Sequence, residues 1–351
     1  MKKCELLKCL NIFVIIMLFF ASISCKKQEH HALNHTSSVS DPSKVTIGFS
    51  IDTLAIERWQ RDLDIFINKI HEMGAQVIVQ NAGNNIEEQN RQIMYLMELN
   101  VDAIIVLPKD ADSVTESIQK IRAKGIPVIS YDRLARNADV NLYITIDSKK
   151  VGEYMATEML RKTSGTNWYC ILGAKEDYNM TLIMEGVNRI LRTTPVQISH
   201  TFYTEGWNYD LSYREMVRIL NEDKIPDAII CGNDAVAASV IQAISHYYPD
   251  IHIPVCGQDA DIAACQYIVQ GKQDFTIFKP IIQLAELAAE CAVHLARGEE
   301  PDTSGYRLST INNGFGEIQT IWLDPTYVDK YNLDKIVIES GFHSASSVYK
   351  N

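Results

Sequence analysis

Six short polar clusters punctuate this chain, each just after an apolar run, and their side chains are of the kinds that hold hydroxyl groups. Glu57-Arg58-Trp59-Gln60 follows residues 45–51, Tyr131-Asp132-Arg133 follows 127–130, and Asp177-Tyr178-Asn179 follows 168–173. Asn233-Asp234 follows 228–231, Gln258-Asp259-Ala260-Asp261 follows 253–256, and Lys279-Pro280 follows 275–278. Trp207 adds an aromatic after the run 201–203. A guanidinium fork such as that of Arg58 can bridge two hydroxyls, and an indole such as Trp59 can cover an apolar C–H face. Sugar hydroxyls donate and accept at once, so a sugar site needs cations, amides and carboxylates together. A phosphate site would use donors without so many carboxylates. Taken singly, each cluster reads as a helix cap, because Asp and Asn accept from the first free amides of a helix, and Trp59 reads as core. The joint pattern, with every cluster at the same end of its strand, points to one crevice.

That crevice depends on the elements that carry the clusters. Apolar, β-rich runs begin near residues 45, 76, 103 and 127, and again near 168, 197, 227 and 252. The spacings are 31, 27 and 24 residues in the first half and 29, 30 and 25 in the second, a near-repeat that predicts two copies of one architecture. Each interval holds a strand, a crossover helix and a return, so parallel sheets are predicted. Trp59, Leu63, Phe66, Ile67, Ile70 and Met73 share one helical face, with Gly74 at the C-terminal cap position. Val114, Ile118 and Ile121 repeat the pattern before Gly125, and Ala285, Ala288, Ala289 and Ala292 fall in a helix expected over 280–297. The fold class is therefore α/β, two doubly wound parallel-sheet lobes whose facing cleft is a preferred ligand site.

The chain opens with Lys2, Lys3 and Lys8, then an uncharged apolar run over 9–21 that is shorter than the ~20 residues of a spanning helix. This reads as a signal peptide, residues 1–24. The segment Ser22-Ile23-Ser24-Cys25 resembles a bacterial lipoprotein cleavage box, which implies lipidation of Cys25 and an anchor in the membrane. Residues 25–43 then form a polar tether. His30, His31 and His35 in that stretch lack Cys or carboxylate companions at ligand spacing, so no metal and no cofactor is expected. The formal net charge is −11, and the signal residues Lys2, Lys3, Lys8 and Glu5 account for +2, which leaves about −13 on the remainder. Such a balance argues against nucleic acid, whose phosphates require a basic face. Past Cys25 the cysteines are Cys170, Cys231, Cys256, Cys265 and Cys291, widely spaced and without a Cys-x-x-Cys, so buried thiols rather than a disulfide framework are expected.

The residues 51–66 (IDTLAIERWQRDLDIF), 129–133 (ISYDR), 232–243 (GNDAVAASVIQA), 257–261 (GQDAD), 278–281 (FKPI), 311–314 (INNG) and 339–343 (ESGFH) carry a family resemblance. From about Lys44 to His343 the chain resembles the periplasmic sugar-binding proteins of ABC importers, of the ribose-binding-like type. The resemblance implies two α/β lobes joined by a three-strand hinge, the type I periplasmic binding protein fold. It implies a first lobe of 44–146 plus 279–308 and a second of 147–278 plus 309–351. Carried over by motif, the sugar contacts would be Arg58, Asp132, Arg133, Asp177, Asn179, Asn233, Asp259 and Lys279, with Trp59 and Trp207 facing the ring. The ligand implied is a monosaccharide, D-xylose or a related pentose. Tyr178 departs from the pattern, which holds Asn there, and this leaves the sugar's identity open. The partner implied is an ABC permease or, alternatively, a membrane sensor such as a histidine kinase or chemoreceptor. A periplasmic, lipid-anchored monomer is expected.

Other classes fit poorly. No Gly-x-Ser-x-Gly elbow or His-Glu-x-x-His occurs, and Asp259 and Asp261 sit among basic and amide neighbours rather than as an isolated acid–base pair. A sugar-responsive repressor would need a DNA-binding headpiece where the signal and tether stand. No calcium loop of the Asp-x-Asp/Asn-x-Asp/Asn-Gly type is present.

Overall fold

The computed structural model describes residues 44–350. The signal peptide, Cys25, the tether and its histidines lie outside the described residues.

Two sheets form, each from βα units of the expected spacing. The first contains β1 (Thr46–Ile51), β2 (Gln76–Asn81), β3 (Ala103–Leu107), β4 (Val128–Tyr131) and β5 (Leu142–Ile146). The second contains β6 (Asn167–Leu172), β7 (Gln197–Tyr203), β8 (Ala228–Cys231), β9 (Val255–Gln258) and β10 (Phe275–Phe278). Three further strands follow, β11 (Arg307–Asn312), β12 (Glu317–Leu323) and β13 (Thr326–Val328). The sheet orders are β11-β12-β5-β4-β3-β1-β2 and β13-β10-β9-β8-β6-β7. Each sheet therefore repeats the same doubly wound order around its first strand, so the repeat in spacing is a repeat in topology. The central pairings are parallel, and the two antiparallel pairs, β11 with β12 and β10 with β13, sit at the sheet edges. Both sheets are thus mixed rather than purely parallel. Strands such as β3 and β5 are buried along their whole length because helices cover both faces.

The helices bury the stripes that the sequence predicts. Helix Glu57–Glu72 buries Trp59, Leu63, Phe66 and Ile70, and helix Ile281–Ala296 buries Ala285, Ala288, Ala289 and Ala292 against the same core. Val114, Ile118 and Ile121 are fully enclosed. Gly74 and Gly125 have φ of 74° and 79°, the left-handed geometry that ends these helices. Cys170, Cys231 and Cys256 are buried free thiols in β6, β8 and β9.

The lobe boundaries differ from expectation at the C-terminal end. The expected division at 308/309 would cut the β11–β12 hairpin, but both strands belong to the first sheet, where β12 pairs with β5. β12 continues the parallel ladder of β5, so the hairpin cannot leave that sheet without losing the ladder. The chain crosses between sheets at Asp147, at Lys279-Pro280 and at Asp324-Pro325, and β13 is the first return to the second sheet after the hairpin. Ion pairs of Arg307 with Asp147 (2.6 Å) and of Lys150 with Asp324 (2.9 Å) lace these crossings. Beyond β13, Leu333, Val337, Phe342 and Val348 pack into the cluster that holds Trp59, Phe66 and Cys265 rather than into the second sheet alone.

Candidate functional site

The turns after β1, β4, β6, β8, β9 and β10 converge on one tight cavity between the lobes. Its walls include Arg58, Trp59, Asp132, Arg133, Asp177, Asn179, Trp207, Asn233, Asp259 and Lys279, so the structure brings together all ten residues singled out in the sequence. It adds Ile56, Met180 and Gln258.

Cap and cavity roles coincide at two positions. Asp177 Oδ1 accepts from the Asn179 amide at 3.0 Å, and Asn233 Oδ1 accepts from the Val236 amide at 2.9 Å. Each cap fixes one oxygen at a helix start and leaves the rest of the side chain at the cleft. Trp59 also serves twice, as a member of the first-lobe core and as a cavity wall, with the Arg58 guanidinium 4.4 Å and the Arg133 guanidinium 5.4 Å from its ring centre.

Two buried arginines organise the charges. Arg58 pairs with Asp132 and reaches Asp62 at 3.5 Å and Asp259 at 3.7 Å. Arg133 Nη1 donates to Asp52 at 2.5 Å and to the Pro108 carbonyl at 3.2 Å. Its Nε lies 2.7 Å from Asp177 Oδ2 without the alignment of a hydrogen bond. Lys279 Nζ stands 3.1 Å from Asp259. Burial opposes the charge on Arg58, yet Asp132, Asp62 and Asp259 together hold its pKa above the ordinary value. Burial pushes Asp52 and Asp177 up, and Arg133 only partly offsets it. At Asp132 burial also pushes up, but Arg58 and Lys279 outweigh it and the carboxyl is held low.

Asp132 and Asp259 have φ of 58° and 99°, conformations that cost non-glycine residues on the order of 1–3 kcal/mol and collect at ligand sites. Several buried polar atoms around the cavity have no protein partner: Arg58 Nε, Trp59 Nε1, Trp207 Nε1, Asn179 Oδ1 and Gln258 Oε1. Donors and acceptors are mixed in this set, which is the demand a polyol meets.

The lobes touch across the cleft. Asn179 Nδ2 donates to Asp132 Oδ1 at 3.1 Å, and Arg133 meets Asp177. At the rim, Asn84 Nδ2 donates to the Gly206 carbonyl at 3.2 Å and the Ala111 amide to the Glu176 carbonyl at 3.3 Å. Tyr178 is also a rim residue. It does not line the cavity; it lies 5.2 Å beneath Arg136 and packs on the first-lobe core. Its departure from the family pattern therefore bears on how the lobes meet rather than on a direct ligand contact.

Sequence reading passed over Asp52 and Asp62, which do not line the cavity but neutralise Arg133 and Arg58. Asp62 stands one helical turn after Arg58, a spacing that brings two side chains together. It accepts from the Tyr131 hydroxyl at 2.7 Å, and burial, against the pull of Arg58, raises its pKa from 3.8 to about 6. The unfolded chain loses this proton first, so Asp62 favours the folded form fully below pH ~4. That contribution, at most about 3 kcal/mol, is lost as pH rises from ~4 to ~6. Asp62→Asn keeps an acceptor for Tyr131 and removes the titration. Melting temperatures measured from pH 4 to 7 should fall less steeply in this variant than in the wild type, and parallel curves would contradict the assignment.

Comparison with known proteins gives a consistent set of similarities. A model of the periplasmic binding protein domain matches residues 47–300. The chain is 35% identical over 323 residues to the D-xylose-binding periplasmic protein of Haemophilus influenzae, covering 91% of this chain and 96% of that one. It is 34% identical over 319 residues to the D-xylose-binding periplasmic protein of Escherichia coli, covering 89% and 95%. Among solved structures it is similar to an ABC transporter solute-binding protein from Clostridium phytofermentans with bound β-D-glucose. That match has a TM-score of 0.79 at 25% identity and covers 86% of this chain and 99% of that one.

Proposed function

The chain belongs to the periplasmic binding protein family, and we propose that it binds a monosaccharide with high affinity in the interlobe cavity and delivers it to an ABC importer. D-Xylose, or a related pentose, is the sugar we assign. The observation that carries this reading is the convergence of ten expected residues on one narrow cavity whose unpartnered buried atoms include both donors and acceptors. The names of the H. influenzae and E. coli relatives support xylose. Binding closes the lobes, because hydroxyls held by Arg58 and Asp132 on one side and by Asp177, Asn179 and Asn233 on the other are satisfied together only in the closed form. A sugar lacking one hydroxyl would leave a buried charged group unpaired, and such sites discriminate steeply.

A thermal-shift panel of pentoses and hexoses tests this. D-Xylose at about 100 times its Kd should stabilise the protein by about 2.7 kcal/mol and raise Tm by on the order of 5 °C. No shift with any monosaccharide would sink the reading, and a shift with hexoses alone would replace the pentose. The function involves no chemistry on the sugar, so the ligand should be recovered unchanged. Attachment to the membrane through lipidated Cys25 belongs to the same proposal; an intact mass of the mature chain without acyl groups on Cys25 would remove it.

A further inference from the structure

The segment 339–343 (ESGFH) carries part of the family resemblance, yet none of its residues lines the cavity. Its contacts lead behind the cavity wall. We infer that His343 is a positioning residue for ligand binding: by donating to the Ala260 carbonyl it holds the left-handed Asp259–Ala260 turn that aims Asp259 at Arg58 and Lys279. The inference rests on the proposed sugar site.

Asp259 and Ala260 are consecutive non-glycine residues with φ of 99° and 54°. Such a turn persists only where its surroundings fix it. Three fixings come from the second lobe. The Asp259 amide donates to the Ile277 carbonyl at 2.9 Å, the Ala260 amide to Thr276 Oγ1 at 3.3 Å, and the Asp261 amide to Asp234 Oδ2 at 3.1 Å. These hold the three amides but leave the Ala260 carbonyl. That carbonyl belongs to a fully buried residue and receives His343 Nε2 at 2.8 Å. A carbonyl only accepts, so Nε2 carries the proton. The other approach to it is the Cys265 thiol at 3.6 Å, a weak donor.

His343 is itself held from the first lobe. The guanidinium of Arg61, on helix Glu57–Glu72, lies 3.9 Å over the Phe342 ring, and its Nη2 donates to the Phe342 carbonyl at 2.8 Å. The Phe342 ring meets Phe278, the neighbour of Lys279, edge-on at 4.9 Å. The His343 amide closes onto the Val337 carbonyl at 3.1 Å. The tail thus ties the helix that presents Arg58 to the turn that presents Asp259. Burial, with the charge of Arg61 adding to it, pulls the His343 pKa below its ordinary value, so the ring is neutral at pH 7.

Two variants of similar size separate bracing from mere packing. His343→Gln keeps a donor near the position of Nε2, and His343→Leu fills the space without one. D-Xylose affinity is measured by calorimetry, and amide exchange across 257–262 is followed in the sugar-free protein. His343→Leu should bind about ten-fold more weakly and exchange faster at 257–262 than elsewhere, while His343→Gln should restore both to within about three-fold of wild type. Wild-type exchange at 257–262 in His343→Leu would overturn the inference whatever the sugar does. So would wild-type affinity, or a loss of protection spread evenly over both lobes. A wild-type protein that binds no monosaccharide would sink the functional reading instead, and the exchange pattern would still decide whether His343 braces the turn.

Discussion

Arg133→Ala is expected to weaken pentose binding by about a thousand-fold, an effect of about 4 kcal/mol. Arg133 lines the cavity and neutralises two carboxylates that face it from opposite lobes, Asp52 at the end of β1 and Asp177 at the start of helix Tyr178–Leu191. Alanine removes the ion-pair partner of both acids and leaves only the weaker influence of Lys109 on Asp52 and of Lys279 on Asp177. Breaking one partner of a buried pair costs roughly 3–5 kcal/mol; the Asp177 share falls on the contact between the lobes and the Asp52 share on the first lobe itself. With the lobes parted, water would solvate Asp177, so this share bears on binding. The variant should therefore lose both affinity and stability: calorimetry should show little or no heat with D-xylose, and the sugar-free protein should unfold at a lower temperature. Arg133→Lys sharpens the test. It restores one charge but not the fork that reaches Asp52 and Asp177 at once, so recovery should be partial. Wild-type affinity in Arg133→Ala would refute the site.

The residues that carry this prediction differ in how legible they are in sequence. Arg133, Asp132 and Asp259 stand directly after apolar runs, and a strand end in a parallel sheet is where ligand groups gather, so their placement follows from local pattern plus one topological rule. Helix Glu57–Glu72 reads equally well, because its apolar stripe has the period of 3.6 and its stop is a glycine. Asp52 and Asp62 are different. Nothing local marks an acid at a strand end or in a helix as buried; only the tertiary approach of Arg133 and Arg58 does so. The division at 308/309 that the family resemblance implies cuts the β11–β12 hairpin, because membership of the first sheet depends on the long-range ladder between β12 and β5, which no local pattern marks. The role of Tyr178 at the rim depends likewise on Arg136, which belongs to the other lobe.

Gly173 shows how a residue with no side chain can control the site, and Gly173→Ala is the second large effect expected. A Cβ built there would stand 2.0, 2.2 and 2.4 Å from three carbons of the Trp207 ring, where non-bonded carbons sit ~3.5–4.0 Å apart. The indole has little freedom to give way. Trp207 itself adopts φ of 59° directly after Gly206 at 57°, its amide donates to the Thr204 carbonyl at 3.1 Å, and its ring packs against three core clusters. The backbone cannot yield easily either, since the Gly173 amide is directed at Met180 Sδ, 3.3 Å away, and a Cβ on neighbouring Gly232 would itself meet Gly173 N at 2.4 Å. The indole must therefore leave its place on the cavity wall. Losing the apolar cover of a large aromatic is worth roughly 1.5–3 kcal/mol, so affinity for the sugar should fall by about ten- to a hundred-fold. Steric displacement predicts a specific coupling. Trp207→Leu alone should weaken binding by a similar factor, and adding Gly173→Ala to it should cost little more, because the clash has been removed; such non-additivity marks residues in contact. Fully additive losses in that cycle would show that Gly173 acts through its backbone and not through the ring of Trp207.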